Sequence, residues 1–181
     1  MCLRKPAQMV EVLHTLSRAD AGELTLNRQP ISPRALLEHV AAVYQHPAEQ
    51  KQILLTTDIP DGLPRILVDE TRMAQVLGNL IHNALRYTPQ GGAITLSASR
   101  TTEEVYLCVQ DTGRGIQPGD PPNIFERFYR GDKSRTDAEG ASGLGLAIAR
   151  ALVTANGGTI SAESAPGRGT KMTVALSGLT D

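Results

Sequence analysis

Residues Asp111 to Ile116 read DTGRGI, an acid and two glycines set between a strand-like run and a stretch broken by Pro118, Gly119, Pro121 and Pro122. A dinucleotide-binding turn carries G-x-G-x-x-G from a strand straight into a helix, but here Gly113-x-Gly115 leads into Ile116, Gln117 and Pro118, where a helix does not begin. A P-loop fails too, because its nearest approach, Gly131-Asp-Lys-Ser134, lacks the adjacent Gly-Lys pair. What remains is Gly140-Ala-Ser-Gly143-Leu-Gly145-Leu, glycines at the head of a helix. Free backbone N–H groups and the positive helix end there suit an anion, although a close-packed helix start would use the same glycines.

Outward from this stretch the chain alternates between strands and helices. Ala93 to Ser99 and Val105 to Gln110 read as strands, joined by Thr101 to Glu104 as an antiparallel hairpin. Gly143 to Ala155 reads as a helix ended by Asn156-Gly157-Gly158, and the strands Thr159 to Ser164 and Thr170 to Leu176 flank Pro166 to Gly169. On the N-terminal side, Val10, Leu13 and Leu16 recur at helical spacing up to Ala21-Gly22, and Leu24 to Ile31 alternates like a strand. Ser32-Pro33 offers an N-cap with proline at the first helical position, and the helix that follows should run to about Gln45 with a stripe of Leu36, Leu37, Val40, Val43 and Tyr44. Short strands at Ile53 to Thr57 and Arg65 to Val68 surround the turn Pro60 to Pro64.

Asp69 can cap the most informative helix, Glu70 to about Tyr87. Met73, Val76, Leu77, Leu80 and Ala84 form its buried stripe, while Gln75, Asn79, Asn83 and Arg86 line another strip with Tyr87 at its edge. Asparagine competes for backbone hydrogen bonds inside helices, so two of them one turn apart need a reason. Either alone fits a solvated face. Together with Arg86, Tyr87 and the glycine loops they describe a surface turned to a ligand.

Composition sets outer limits. The chain has 181 residues, 40% hydrophobic and 20% charged, enough for one sizeable core with an appendage. A net charge of -1 gives nucleic acid or an anionic membrane no hold, and Cys2 and Cys108 form neither a disulfide framework nor a metal cluster. A reducing cytoplasm fits. No apolar run is long enough for a membrane span and MCLRKPAQ lacks a signal peptide's apolar region, so no direct membrane contact is expected.

Taken in order, QVLGNLIHNALRYTP, DTGRGI, IFERFYRGD, GASGLGLAIAR and GRGT closely resemble the N, G1, F, G2 and G3 boxes of sensor histidine kinase catalytic domains, over roughly residues 20 to 178. Their wider family includes gyrase-type topoisomerases, Hsp90-like chaperones and mismatch-repair ATPases. The resemblance implies an α+β fold, a two-layer sandwich with a mixed sheet of about five main strands and three helices on one face. It implies ATP and Mg2+ as cofactors, with residues 1–22 as the tail of a dimerisation helical hairpin and residues 23–181 as the catalytic domain. Partners would be that dimerisation and phosphotransfer domain and a response regulator. The fragment by itself would be a monomer, and its parent could be anchored in the inner membrane.

Residue by residue, the resemblance gives Asp111 the adenine amino group, which only an acceptor favours over an oxo purine. Gly113 and Gly115 would let the backbone pass close beneath the base. Asn83 would coordinate magnesium, with Asn79 in support. Arg86 would face phosphate, and Tyr87 would lie beside the nucleotide. Gly143 and Gly145 would meet phosphate, with further nucleotide contacts from Ile116, Phe128, Leu144, Leu146 and Thr170. A lid from about Gln117 to Ser142 holds three of the six aromatics, Phe125, Phe128 and Tyr129; Phe125 and Phe128 partly cover the core. Arg130 would approach the terminal phosphate during transfer, with Arg127 on the surface.

Departures from the pattern matter as much. Water-splitting relatives carry a glutamate base where this chain has Asn79, so efficient hydrolysis is not expected. None of His14, His39, His46 or His82 stands before an acid with a proline soon after, so the phosphoacceptor lies elsewhere. Met172 stands where the family usually has phenylalanine, a tolerated core exchange. Two alternatives remain, a regulatory nucleotide-binding module without transfer and a serine-directed anti-sigma-type kinase. Five undamaged boxes weigh against the first, and the helical remnant at Leu13 to Leu24 against the second.

Overall fold

A computed structural model describes residues 4–117, 123–129 and 143–179, without the side chains of residues 4–9. Its elements run α1 (Arg4–Asp20), β1 (Gln29–Ile31), α2 (Pro33–Gln50), β2 (Leu54–Asp58), β3 (Ile66–Val68), α3 (Glu70–Tyr87), β4 (Ala93–Arg100), β5 (Glu104–Asp111), α4 (Gly145–Ala155), β6 (Thr159–Ser164) and β7 (Thr170–Ser177). A five-stranded sheet has the order β2-β4-β5-β7-β6, with β2 parallel to β4 and the other pairs antiparallel. Helices α2, α3 and α4 cover one face, and α1 packs on α4 instead of the sheet. This is the expected two-layer sandwich.

Strand alternation builds the core. Ile94, Leu96 and Ala98 of β4, Val105, Leu107 and Val109 of β5, and Met172, Val174 and Leu176 of β7 are buried in registered rows under the helices. Continued by two residues, the β5 row reaches Asp111, and the β7 row begins at Thr170, its partner in register. The apolar pattern thus delivers a carboxylate to the helix side of the sheet.

Helix α3 has the predicted bounds. Asp69 Oδ1 accepts the Arg72 N–H at 3.0 Å as N-cap, and Lys51 Nζ donates to the Leu85 carbonyl at 3.0 Å near the other end. The stripe Met73, Val76, Leu77, Leu80 and Ala84 is buried, while Gln75, Asn79, Asn83, Arg86 and Tyr87 are half-buried.

Two local expectations need correction. The extended run from Leu24 forms a strand only over Gln29–Ile31, because its partner β3 has three residues to pair with. The strands expected around Pro60 to Pro64 are both present and join different sheets: β2 adds to β4, and β3 joins β1 in a separate two-stranded sheet. Helix α2 continues past Gln45 to Gln50 with Pro47 inside it, and Val43 is 56% exposed, off the buried stripe. Burial of Ala48 beside the proline anchors that extra turn.

Proline in a helix interior removes one backbone bond and crowds the preceding turn. Pro47→Ala should therefore raise unfolding stability by about 1–3 kcal/mol, less the chain entropy that proline removes from the unfolded state. Urea denaturation checks this. A lowered midpoint would mean that ring packing outweighs the helix penalty.

Candidate functional site

Asp111 closes β5 at a position where the alternation calls for an apolar residue, and it is 7% exposed. Its Oδ1 accepts the Gly113 N–H at 2.8 Å, and Thr170 faces it in register from β7. Burial pushes its pKa up, and the backbone N–H groups of Gly113 and Thr170 pull it partly back. A raised folded-state pKa means that ionisation opposes folding. The penalty is absent below the usual aspartate range and complete above the raised value. A carboxylate kept at such a cost in stability points to a ligand donor as its purpose.

The glycines around it are steric necessities. A Cβ on Gly113 would lie 2.6 Å from the Tyr87 carbonyl oxygen and 2.7 Å from Asp111 Oδ1. On Gly115, at φ +69, it would lie 2.0 Å from the Ala165 carbonyl oxygen, and on Gly169, at φ +77, 1.9 Å from that of Asp111. The loop after β5 is thereby pressed between the end of α3 and the β6–β7 turn. Ser164 locks the junction: its Oγ accepts the Ile116 N–H at 2.8 Å, donates to the Gly169 carbonyl at 2.8 Å and lies 2.9 Å from Thr170 Oγ1.

The second half of the site is the start of α4. Gly143 is at φ +69, its carbonyl accepts the Phe128 N–H at 3.0 Å, and a Cβ there would come within 2.9 Å of Phe128 Cα. Gly145 begins α4 and faces α3, with Asn79 Oδ1 3.9 Å from where its Cβ would be. Leu144 is buried in the core, so only its backbone is turned toward a ligand; Leu146 is half-buried against the same core. Phe125 is buried as expected, whereas Phe128 is 61% exposed and has φ +60, a strained conformation for an aromatic residue. Arg127 forms an ion pair with Asp20 of α1, and Arg130 lies outside the described residues, as does most of the expected lid.

Thus Asp111, Gly113, Gly115, Ile116 and Thr170 converge at one end of the sheet, beside Arg86 and Tyr87 at the end of α3. Asn79 and Gly145 face each other where α3 meets the start of α4, Gly143 packs on Phe128 just before that helix, and Asn83 lies one turn further along α3. Two participants escaped sequence reading. Ser164 carried no signal beyond being a serine at a strand end, and Arg114 stood in plain view inside DTGRGI.

Residues 68–178 match the family described as histidine kinase-, DNA gyrase B-, and HSP90-like ATPase, and the chain belongs to that family of ATP-binding domains. It is 37% identical over 173 residues to the sensor-like histidine kinase SenX3 of Mycobacterium tuberculosis, covering 96% of this chain and 42% of that protein. To the sensor histidine kinase WalK of Bacillus subtilis it is 38% identical over 171 residues, covering 93% of this chain and 28% of that one. Full-length ShkA, solved in complex with AMPPNP, superposes with a TM-score of 0.84 at 31% identity, over 96% of this chain and 36% of that one. The chain thus spans less than half the length of these relatives. Among the described residues, no helix is long and apolar enough to cross a membrane.

Gly167 and Gly169 provide a matched control for the packing around Asp111. Both have φ near +75, but nothing lies within 4 Å of a Cβ on Gly167. Gly167→Ala should cost about 1–2 kcal/mol from backbone strain alone. Gly169→Ala should exceed about 4 kcal/mol or prevent folding, because backbone atoms must move. Thermal melts showing equal costs would contradict the close approach of Gly169 to Asp111.

Proposed function

We propose that this chain is the ATP-binding catalytic portion of a sensor histidine kinase, transferring the γ-phosphate of ATP to a histidine on a dimerisation domain outside residues 23–181. The observation that carries the reading is the buried Asp111 carboxylate, held by backbone donors beside the end of α3. Its remaining acceptor capacity suits the amino group of adenine, and the glycines that crowd it leave room for a flat base.

The other assignments follow the geometry outward. Tyr87 flanks the base and Ile116 and Thr170 close its floor. Arg86 and the backbone at Gly143, Leu144 and Gly145 serve the phosphates, where the head of α4 favours negative charge. Phe128, Leu146 and Arg130 complete the nucleotide surface, Arg130 by approaching the terminal phosphate. Among the described residues no cluster of three or more His, Cys, Asp or Glu could hold a metal. Magnesium suits an amide oxygen from Asn83, supported by Asn79, since that ion commonly takes one or two protein oxygens plus phosphate oxygens. Bound there it would neutralise phosphate charge. Neither asparagine can take a proton from water, which favours transfer over hydrolysis.

Helix α1 supports a division near residue 22. It packs on α4 through the buried Leu16 and leaves Val10 66% and Leu13 40% exposed, as the end of a helix that continues into a hairpin would. We assign residues 1–22 to the dimerisation hairpin and residues 117–142 to the ATP lid. A response regulator would be the onward acceptor, and cytoplasmic placement follows from the need for ATP.

Incubation with labelled ATP, with and without the parent protein's purified hairpin, tests the proposal. The chain alone should stay unlabelled. The hairpin should become labelled on histidine, slowly, because a diffusing partner lacks the effective concentration of a tethered one. The product should be labile to acid and stable to base. Strong label on His14 in the chain alone would overturn the reading that the phosphoacceptor lies on another part of the protein, and base-labile label on a serine would favour the anti-sigma-type kinase.

A further inference from the structure

Arg114 sits between the two glycines of DTGRGI and is bound on both sides through its backbone. Its N–H donates to the Tyr87 carbonyl at 3.3 Å, and its own carbonyl accepts the Gly167 N–H at 2.8 Å. From this anchored position the side chain turns back over Tyr87, with the guanidinium carbon 4.4 Å from the ring centroid. Arg86 lies 5.6 Å from the same centroid. A half-buried tyrosine is thus gripped by two cations from different elements, at the point where Gly113 brings its carbonyl oxygen near Asp111.

A surface arginine with an open choice of rotamers has little reason to settle on a ring face, since isolated pairs of this kind are weak. Here the backbone bonds fix its starting point, so little further entropy is lost on stacking. The planar guanidinium matches the ring face as an ammonium group would not. The arrangement restrains the ring of Tyr87 before any ligand arrives, which lowers the ordering that binding would otherwise require.

We propose that Arg114 is a positioning residue for base recognition, holding the ring of Tyr87 in place as one wall of the adenine site. The inference rests on the nucleotide-binding reading of that site. It makes a distinction that a phosphate-contacting arginine would not share: the effect of Arg114 acts at the base end and is independent of the number of phosphates. Arg86, which also lies over the ring but is assigned to the phosphates, should differ by an effect that grows with each phosphate.

The test titrates adenosine, ADP and a non-hydrolysable ATP analogue against the wild-type chain, Arg114→Gln, Arg114→Lys, Tyr87→Leu and the Tyr87→Leu/Arg114→Gln double variant. Calorimetry reads the two nucleotides, NMR shift titration reads adenosine, and thermal melts confirm that each variant is folded. Arg114→Gln should weaken all three ligands by one common factor, roughly two- to fivefold. Arg114→Lys should recover part of the loss. The double variant should bind no more weakly than Tyr87→Leu alone, since the arginine acts through the ring. A loss that grows from adenosine to the ATP analogue would put the guanidinium on the phosphates and overturn the proposal, as would additive losses in the double variant. Wild-type binding with an unaffected Arg114→Gln removes this inference alone. A wild-type chain that binds none of the three removes the nucleotide reading and this inference with it.

Discussion

A carboxylate placed where the sheet should end in an apolar side chain is the constraint on which the rest of this site depends. Asp111 follows Val105, Leu107 and Val109 on the buried face of β5, and its burial raises the cost of its charge. Two backbone N–H groups, from Gly113 and Thr170, make the position tenable. To supply them the chain must turn sharply after β5 and bring the start of β7 into register opposite Asp111. That turn brings Gly113, Gly115 and Gly169 so close to other backbone that none of them can carry a side chain without displacing it. Glycines at Gly113, Gly115 and Gly169 are consequences of the close backbone packing around one buried charge.

The same constraint explains why α3 is long, capped and two-faced. Its apolar stripe fixes the helix against β4 and β5, so the asparagine face, Arg86 and Tyr87 are held at a fixed height above the sheet end. Helix α4 then faces Asn79 with its glycine start, where a side chain at Gly145 would fill the intervening space. The residues proposed for binding come from four separate stretches of chain, α3, the loop after β5, the start of α4 and the start of β7, and packing in the core sets their spacing. Peripheral ties sit at the edge of this frame: the ion pair of Asp20 in α1 with Arg127, and the hydrogen bond from Arg28, just before β1, to the Ala155 carbonyl at the end of α4. These exposed charges contribute little individually to stability.

Much of this was legible in the sequence because local signals and tertiary demands agree. Asp69 caps α3 where a capping residue precedes a strong apolar period, and the β4–β5 hairpin follows from alternation plus a short connection. Asp111 was legible from its glycines and from the order of the other boxes. Where the reading failed, long-range packing decided. Pro47 looks like a stop signal, yet burial of Ala48 carries α2 past it. The run from Leu24 has strand alternation, but its neighbour is too short to pair with all of it. Leu144 shares a motif with two exposed or half-exposed glycines while its side chain belongs to the core. Arg114 and Ser164 meet neighbours distant in sequence, the Tyr87 ring and the Ile116 N–H, which no local pattern reveals.

If Asp111 makes this an adenine-specific site, calorimetry with two nucleotides shows it most directly. Wild-type chain and Asp111→Asn are titrated with Mg-ATP and Mg-GTP under identical conditions. Wild type should bind ATP and not GTP, since the carboxylate accepts from an amino group and is repelled by an oxo group. Asp111→Asn should lose about 1–3 kcal/mol of ATP affinity, as expected when a buried acceptor is replaced by a group that also donates. Equal binding of both nucleotides by wild type, or unchanged ATP affinity in Asp111→Asn, would contradict adenine recognition by Asp111.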